Sequence, residues 1–263
     1  MRIGSLQIGQ VTRSPTPLFF TLAPLFRSFY MMLHSIKTIT VLASLACACV
    51  AAPASRSSKR CNLSTASMDI PSGVALPVPT YKPTFLGLGV GTQNYTCTSA
   101  GTYTSAGALA ELYDVSCMYG SPAFEDLPAF TYSFWNHTPA SVSPSELISL
   151  GDIFDSSMVL GQHYFVTNPI TGSGISPKWD FTSRTFPGNP EAFVVGSKLA
   201  DVPAPTGKLD VDWLKFSNAT GDLANEVYRV DTRGGQPPAS CVPGSAGIYV
   251  KYVALYWFMG GSF

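Results

Sequence analysis

Short runs rich in Val, Tyr, Phe and Trp recur from Leu86 towards the C-terminus, and clusters of Gly and Pro separate them. Leu86–Thr96, Met158–Val166, Ala192–Lys198, Trp213–Ser217, Glu226–Thr232 and Ile248–Phe258 all have this character. Such side chains suit a pleated, half-buried surface, so each run predicts a strand. Pro169–Gly172, Pro187–Pro190 and Gly234–Pro238 supply turns between them. The pattern predicts an all-β fold, a single-domain sandwich or barrel of short strands with one or two short helices. One helix start is visible at Ser143, Pro144 and Glu146, a capping box with proline at the first helical position, leading into Leu147 and Ile148. Ile248–Met259 is almost wholly apolar, but Lys251 interrupts it and Gly260–Phe263 follows it. It therefore reads as a strand buried on both faces rather than as the tail of a lipid-anchor signal.

A second apolar run has a different meaning. From Met31 the order is a short region holding Lys37, an apolar stretch from Ile39 to Val50, and small residues Val50, Ala51 and Ala52. That is the layout of a signal peptide, and the stretch is well short of the roughly 20 residues a membrane span needs. Residues 1–30 carry Arg2, Arg13 and Arg27 with no acid and read as an upstream extension of the gene; 31–52 read as the signal peptide. Residues 53–60 form a short pro-segment or linker ending in the dibasic pair Lys59 and Arg60, and 61–263 form one secreted β domain. The expected location is extracellular or in a cell wall.

Removing the leader changes the charge. Seven of the 16 Lys and Arg precede Cys61, whereas all 16 acids follow it, so the mature chain carries nine bases and a net charge of −7. An acidic surface repels phosphate backbones, and nucleic acid is an unsuitable partner. Of six cysteines, Cys47 and Cys49 leave with the leader; Cys61, Cys97, Cys117 and Cys241 remain. In an oxidising compartment they predict two disulfides, with three connectivities open. No pair has zinc-knuckle spacing, so no metal is expected. Four acceptor sequons, at Asn62, Asn94, Asn136 and Asn218, fit the same compartment. Asn94 lies inside a strand-like run, where it could be buried.

Three ordered segments carry a resemblance: Leu86-Gly-Leu-Gly-Val-Gly-Thr-Gln-Asn-Tyr-Thr-Cys97, Gly161-Gln-His-Tyr164 with Pro177-Lys-Trp179, and Tyr228-Arg-Val-Asp-Thr-Arg-Gly-Gly235 followed by Cys241. Together they resemble a largely fungal, secreted family known as domain of unknown function 3455, whose members are sometimes labelled malate dehydrogenase-like. The resemblance implies a secreted, mostly β domain of unestablished activity, and a pairing of Cys97 with Cys241 and Cys61 with Cys117.

The dehydrogenase label finds no support in the residues. A dinucleotide fold needs G-x-G-x-x-G between a strand and a helix, whereas Gly87, Gly89 and Gly91 alternate and Thr92 stands where the third glycine belongs. Glycine at every second position instead empties one face of a strand for a close-packed backbone or ring. There is no G-x-S-x-G elbow and no H-E-x-x-H, and Asp210-Val-Asp212 lacks the rest of a calcium loop, so its acids read as turn residues. No cofactor is expected. The candidate ligand-binding residues are His163, Tyr164, Trp179 and Asp180: an aromatic platform with a polar rim, of the kind that stacks sugars or planar ligands. The same residues read equally as a core histidine, a packed Trp and a turn acid. No catalytic residue is assigned; a hydrolase would have to use His163 with Asp180, or Glu125 and Asp126. The sequence therefore leans towards a non-enzymatic surface, wall or host-interface protein. A binding module and a secreted hydrolase are the alternatives, with a cell-wall glycan or another surface component as partner and no stable membrane insertion.

Overall fold

The computed structural model describes residues 61–146, 149 and 158–263. The extension, signal peptide and pro-segment expected over 1–60, and Leu147 and Ile148 of the foreseen helix, lie outside the described residues. Eight antiparallel strands close into a barrel in chain order: β1 (Pro83–Cys97), β2 (Tyr103–Asp114), β3 (Val159–Thr167), β4 (Ile175–Asp180), β5 (Phe193–Val202), β6 (Trp213–Thr220), β7 (Glu226–Gly234) and β8 (Ile248–Met259). β8 returns to pair with β1 from Tyr95↔Ile248 to Pro83↔Met259. Of the two all-β architectures left open by the sequence, the barrel is the one formed. Among the described residues there is no parallel pairing, so the dinucleotide reading fails on topology as well as on motif.

Strand alternation sorts the side chains into two layers. Phe85, Leu112, Trp179, Phe181, Phe216, Tyr256 and Phe258 fill the barrel, whereas Leu86, Leu88, Val90, Trp213, Tyr228, Val253 and Trp257 point outward. Those outward residues are also buried, because the segment 61–82 and helix α1 (Pro122–His137) lie over them. This is why β1 and β8 read as nearly continuous apolar runs. The alternating glycines of β1 face inward. A Cβ on Gly89 would stand 2.6 Å from the Tyr256 ring, and one on Gly91 would stand 2.0 Å from the Leu109 carbonyl oxygen. The wall is thinned there so that tyrosine and the neighbouring strand can close in.

Helix α1 and strand β2 were not legible beforehand. α1 begins after Ser121 with Pro122 in its first turn and Glu125 beside it, a proper start signal, but Pro128 within it breaks the helical pattern. β2 places Gly107, Ala108 and Ala110 along its length, and small residues give no strand signal although the barrel interior requires them. The foreseen capping box is formed: Ser143 N donates to the Glu146 carboxylate at 2.6 Å and Glu146 N to Ser143 Oγ at 3.2 Å.

Both disulfides are present. Cys61–Cys117 ties the start of the domain to the turn before α1, and Cys97–Cys241 ties the end of β1 to the β7–β8 loop. The segment 61–82 is also pinned by a buried ion pair on the outer wall, Lys215 with Glu226 at 2.9 Å. Glu226 accepts from Thr80 N, and Tyr228 donates to the Pro77 carbonyl.

Candidate functional site

At the end of the barrel where β1 finishes and β8 begins, the interior opens into a cavity of about 440 Å³. Gln93 and Tyr95 come from the end of β1, Lys198 and Asp201 from β5, Arg229 from β7, and Asp212 from just before β6. Phe165, Leu214 and Phe216 supply apolar walls. An eight-stranded barrel is wide enough to hold one small ligand in this way.

Arg229 occupies an inward position of β7, two residues after the core residue Val227. Its Nε and Nη2 donate to the Asp212 carbonyl oxygen at 3.1 and 2.9 Å, and Nη1 reaches Gln93 Oε1 at 3.4 Å. Gln93 is 7% exposed. Its carboxamide interacts with the buried Tyr252 hydroxyl, and that hydrogen bond, like the charge of Arg229, works against the burial that raises this phenol. Tyr95 donates to the Gly235 carbonyl at 2.8 Å, and burial pushes its phenol up to about 12, against the pull of Arg229. Burial raises the Asp212 carboxyl above its usual value; the charge of Asp201 and a hydrogen bond with it add to the effect, while Arg229 and Lys198 oppose it. Asp201 is itself paired with Lys198 at 2.6 Å. Two carboxyl groups thus meet at the rim above an arginine.

Residues 78–260 match the family described as Protein of unknown function (DUF3455). The chain belongs to this family. No curated protein and no solved structure was found to match it. The DUF3455 region contains all eight strands, α1, the Cys97–Cys241 bridge and every residue of the barrel mouth; Cys61 and the segment up to Pro77 precede it.

In this DUF3455 barrel the four candidate ligand residues lie on two sides of the wall. His163 and Trp179 face inward, opposite one another in the β3–β4 ladder, and stack at 4.8 Å with an interplanar angle of 11°. They are 2% and 1% exposed, below the mouth, and Phe216 and Tyr256 pack on the Trp179 ring. His163 Nδ1 lies 3.0 Å from the Lys178 carbonyl oxygen, which can only accept, so Nδ1 carries the proton. Burial brings the imidazole down to about 3, the backbone bond opposing and the charge of Arg229 assisting.

Tyr164 and Asp180 face outward. There Asp180 takes hydrogen bonds from Tyr164 at 2.7 Å and from Lys178 at 2.8 Å. Burial works against its ionisation, but Lys178, Thr182 and Tyr164 outweigh this and hold it at about 2. His163 and Asp180 therefore share no cleft. Of the other acids weighed, Glu125 borders an outer groove and Asp126 is exposed on α1.

Sequence reasoning passed over Gln93, Arg229, Asp201 and Asp212 as site residues. Alternation puts Arg229 on the opposite face from Tyr228 and Val230, but in a run whose other members are all apolar or aromatic it does not say which face is inward, so no signal in the sequence singled it out. Among the described residues no group of His, Cys, Asp and Glu is arranged to hold a metal. The sequons also differ. Asn62 and Asn136 are exposed, Asn94 is half-buried, and Asn218 spends its Nδ2 on the carbonyls of Gly221 and Ala224 at 2.6 and 2.9 Å.

Proposed function

We propose that this chain is a secreted, non-enzymatic binding protein that takes a small ligand into the mouth of its barrel. The observation that carries the reading is an open, half-apolar cavity in the barrel mouth into which the inward-facing Arg229 and the Asp212–Asp201 pair converge among Phe165, Leu214 and Phe216. Concave sites with apolar walls and a few convergent polar groups are where small ligands bind. The ligand class follows: a compact molecule with an apolar body for Phe165, Leu214 and Phe216 and a carbonyl or carboxylate oxygen for Arg229, which Gln93 Oε1 helps to hold in place. The two disulfides support an extracellular location. Exposed Asn62 and Asn136 are the positions suited to glycans, and peptide mapping of secreted protein should find them occupied and Asn218 bare. A surface or wall component remains the proposed partner class.

The test is a thermal-shift and calorimetric screen of residues 61–263 against aromatic carboxylic acids and short fatty acids, with Gln93→Leu and Arg229→Gln alongside. A ligand that binds only the folded state raises stability by about 2.7 kcal/mol at a hundredfold excess over its Kd. Both variants should lose that shift; binding that survives both would place the ligand elsewhere. The Asp212–Asp201 pair favours one second reading, a hydrolase in which Asp212 gives up a proton beside another carboxyl group. Turnover of any ester or glycoside that Asp212→Asn abolishes would replace the binding reading with that one.

A further inference from the structure

A second groove, of about 830 Å³, lies on the outer wall at the end of the barrel where β8 begins. Thr92 and Asn94, on the outward face of β1, stand there opposite Lys251 and Tyr249 of β8. The end of helix α1, residues 138–145, Leu209 and residues 236–238 complete its border. Tyr249 and Leu209 are 72% and 82% exposed, two large apolar side chains left facing water.

The border is unsuited to charged ligands. Among the described residues it contains no acid, and its one base, Lys251, donates to the carbonyls of Trp135 and Thr138 and to the Thr138 hydroxyl. An ammonium has three donors, so none is left for an anion, and a cation finds no counter-charge. What remains is a neutral surface of aromatic and aliphatic walls broken by side-chain amides. One of these is Asn136, the exposed acceptor of a sequon. Asn94 borders the groove as well, but it is half-buried and its Oδ1 accepts from the Thr92 hydroxyl at 2.9 Å, which leaves Asn136 as the attachment point.

A glycan on Asn136 is tethered at the rim, so its first rings meet the groove at millimolar effective concentration and weak contacts suffice to seat them. N-acetylglucosamine is neutral, the charge state the border accepts. Its C–H face and acetamido methyl pack on aromatic and aliphatic side chains, while its hydroxyls and amide turn to water and to side-chain amides. We propose that this groove is the seat of the chain's own N-glycan, whose chitobiose core packs from Asn136 against Tyr249 and Leu209 and covers them. The inference rests on the reading that Asn136 is occupied; it adds where the glycan lies, and that the groove is thereby closed to any other partner.

The experiment secretes the full chain from a eukaryotic host, maps Asn136 by mass spectrometry, and compares the melting temperatures of wild type, Asn136→Gln, Tyr249→Thr and the double variant. Asn136→Gln deletes the acceptor and leaves Thr138 to Lys251; Tyr249→Thr removes the ring and keeps a strand former. Each single change should lower the melting temperature by about 2 °C or more. The double variant should fall no further than the larger single one, because both changes remove the same contact. Leu199→Thr, on β5 and 61% exposed, should instead add in full to Asn136→Gln. Should Asn136→Gln fail to be secreted, enzymatic removal of the glycan from folded wild type and folded Tyr249→Thr gives the same comparison. A bare Asn136 would overturn the reading beneath the inference and the inference with it. An occupied Asn136 whose loss has no effect, or adds independently to Tyr249→Thr, would overturn the inference alone.

Discussion

The imidazole of His163 is neutral inside the barrel, sandwiched against Trp179 and tied to the Lys178 carbonyl. Its folded value of about 3 lies below the unfolded value near 6.5. Between those limits the unfolded chain binds the extra proton, so stability is fully present above about pH 6.5 and falls as pH drops towards 3. The limiting slope is about 1.4 kcal/mol per pH unit for this one group. Urea titrations across that range should show a shallower acid loss in His163→Phe than in wild type; equal slopes would mean another group governs it. Glycines set the second residue-scale limit. Gly91→Ala drives a Cβ into the Leu109 carbonyl, which is backbone and cannot yield, whereas at Gly87 the nearest atoms are side chains at 3.3 Å. Gly91→Ala should cost about 3 kcal/mol or more and Gly87→Ala less, measured by chemical denaturation.

Helix α1 is held to the barrel wall at its C-terminal end. Trp135 Nε1 donates to the Gly91 carbonyl at 2.8 Å, and Lys251 of β8 donates to the carbonyls of Trp135 and Thr138 while lying 4.5 Å from the Trp135 ring centre. One lysine thus satisfies the last carbonyls of a helix that faces it across the layer. Lys251→Met keeps the aliphatic stem but takes the donor from the Thr138 carbonyl, while the Trp135 carbonyl keeps the Thr138 N–H and hydroxyl. It should cost about 1–3 kcal/mol, with hydrogen exchange accelerating in the last turn of α1 and not in β3–β5. Loss of protection throughout the barrel would show instead that the helix and barrel unfold as one unit.

At the scale of the whole molecule, closure by β1 and β8 brings residues from both ends of the domain together, and the bridges reinforce that. Cys97–Cys241 spans 144 residues and Cys61–Cys117 spans 56. Chain entropy in the unfolded state makes the longer loop worth about 1 kcal/mol more. Replacing Cys97 and Cys241 by serine should therefore lower stability more than replacing Cys61 and Cys117, and the barrel should still form, since β1 and β8 keep their full ladder. If the shorter bridge proves costlier, its role lies in holding the segment 61–82 over the outer wall.

Local pattern and composition were enough to determine the all-β class, six of the strands, the emptied face of β1, the burial of β8 on both sides and the four bridging cysteines. Each of those follows from residue type, period or count along the chain. Closure into a barrel rather than a sandwich, the inward turn of Arg229 and Gln93, the separation of His163 from Asp180 by the thickness of the wall, and the meeting of Asn136 and Tyr249 at one groove were decided only by tertiary structure. In a barrel, alternation says that two neighbouring residues face opposite ways, but which way is inward, and what waits there, depends on strands far apart in the chain.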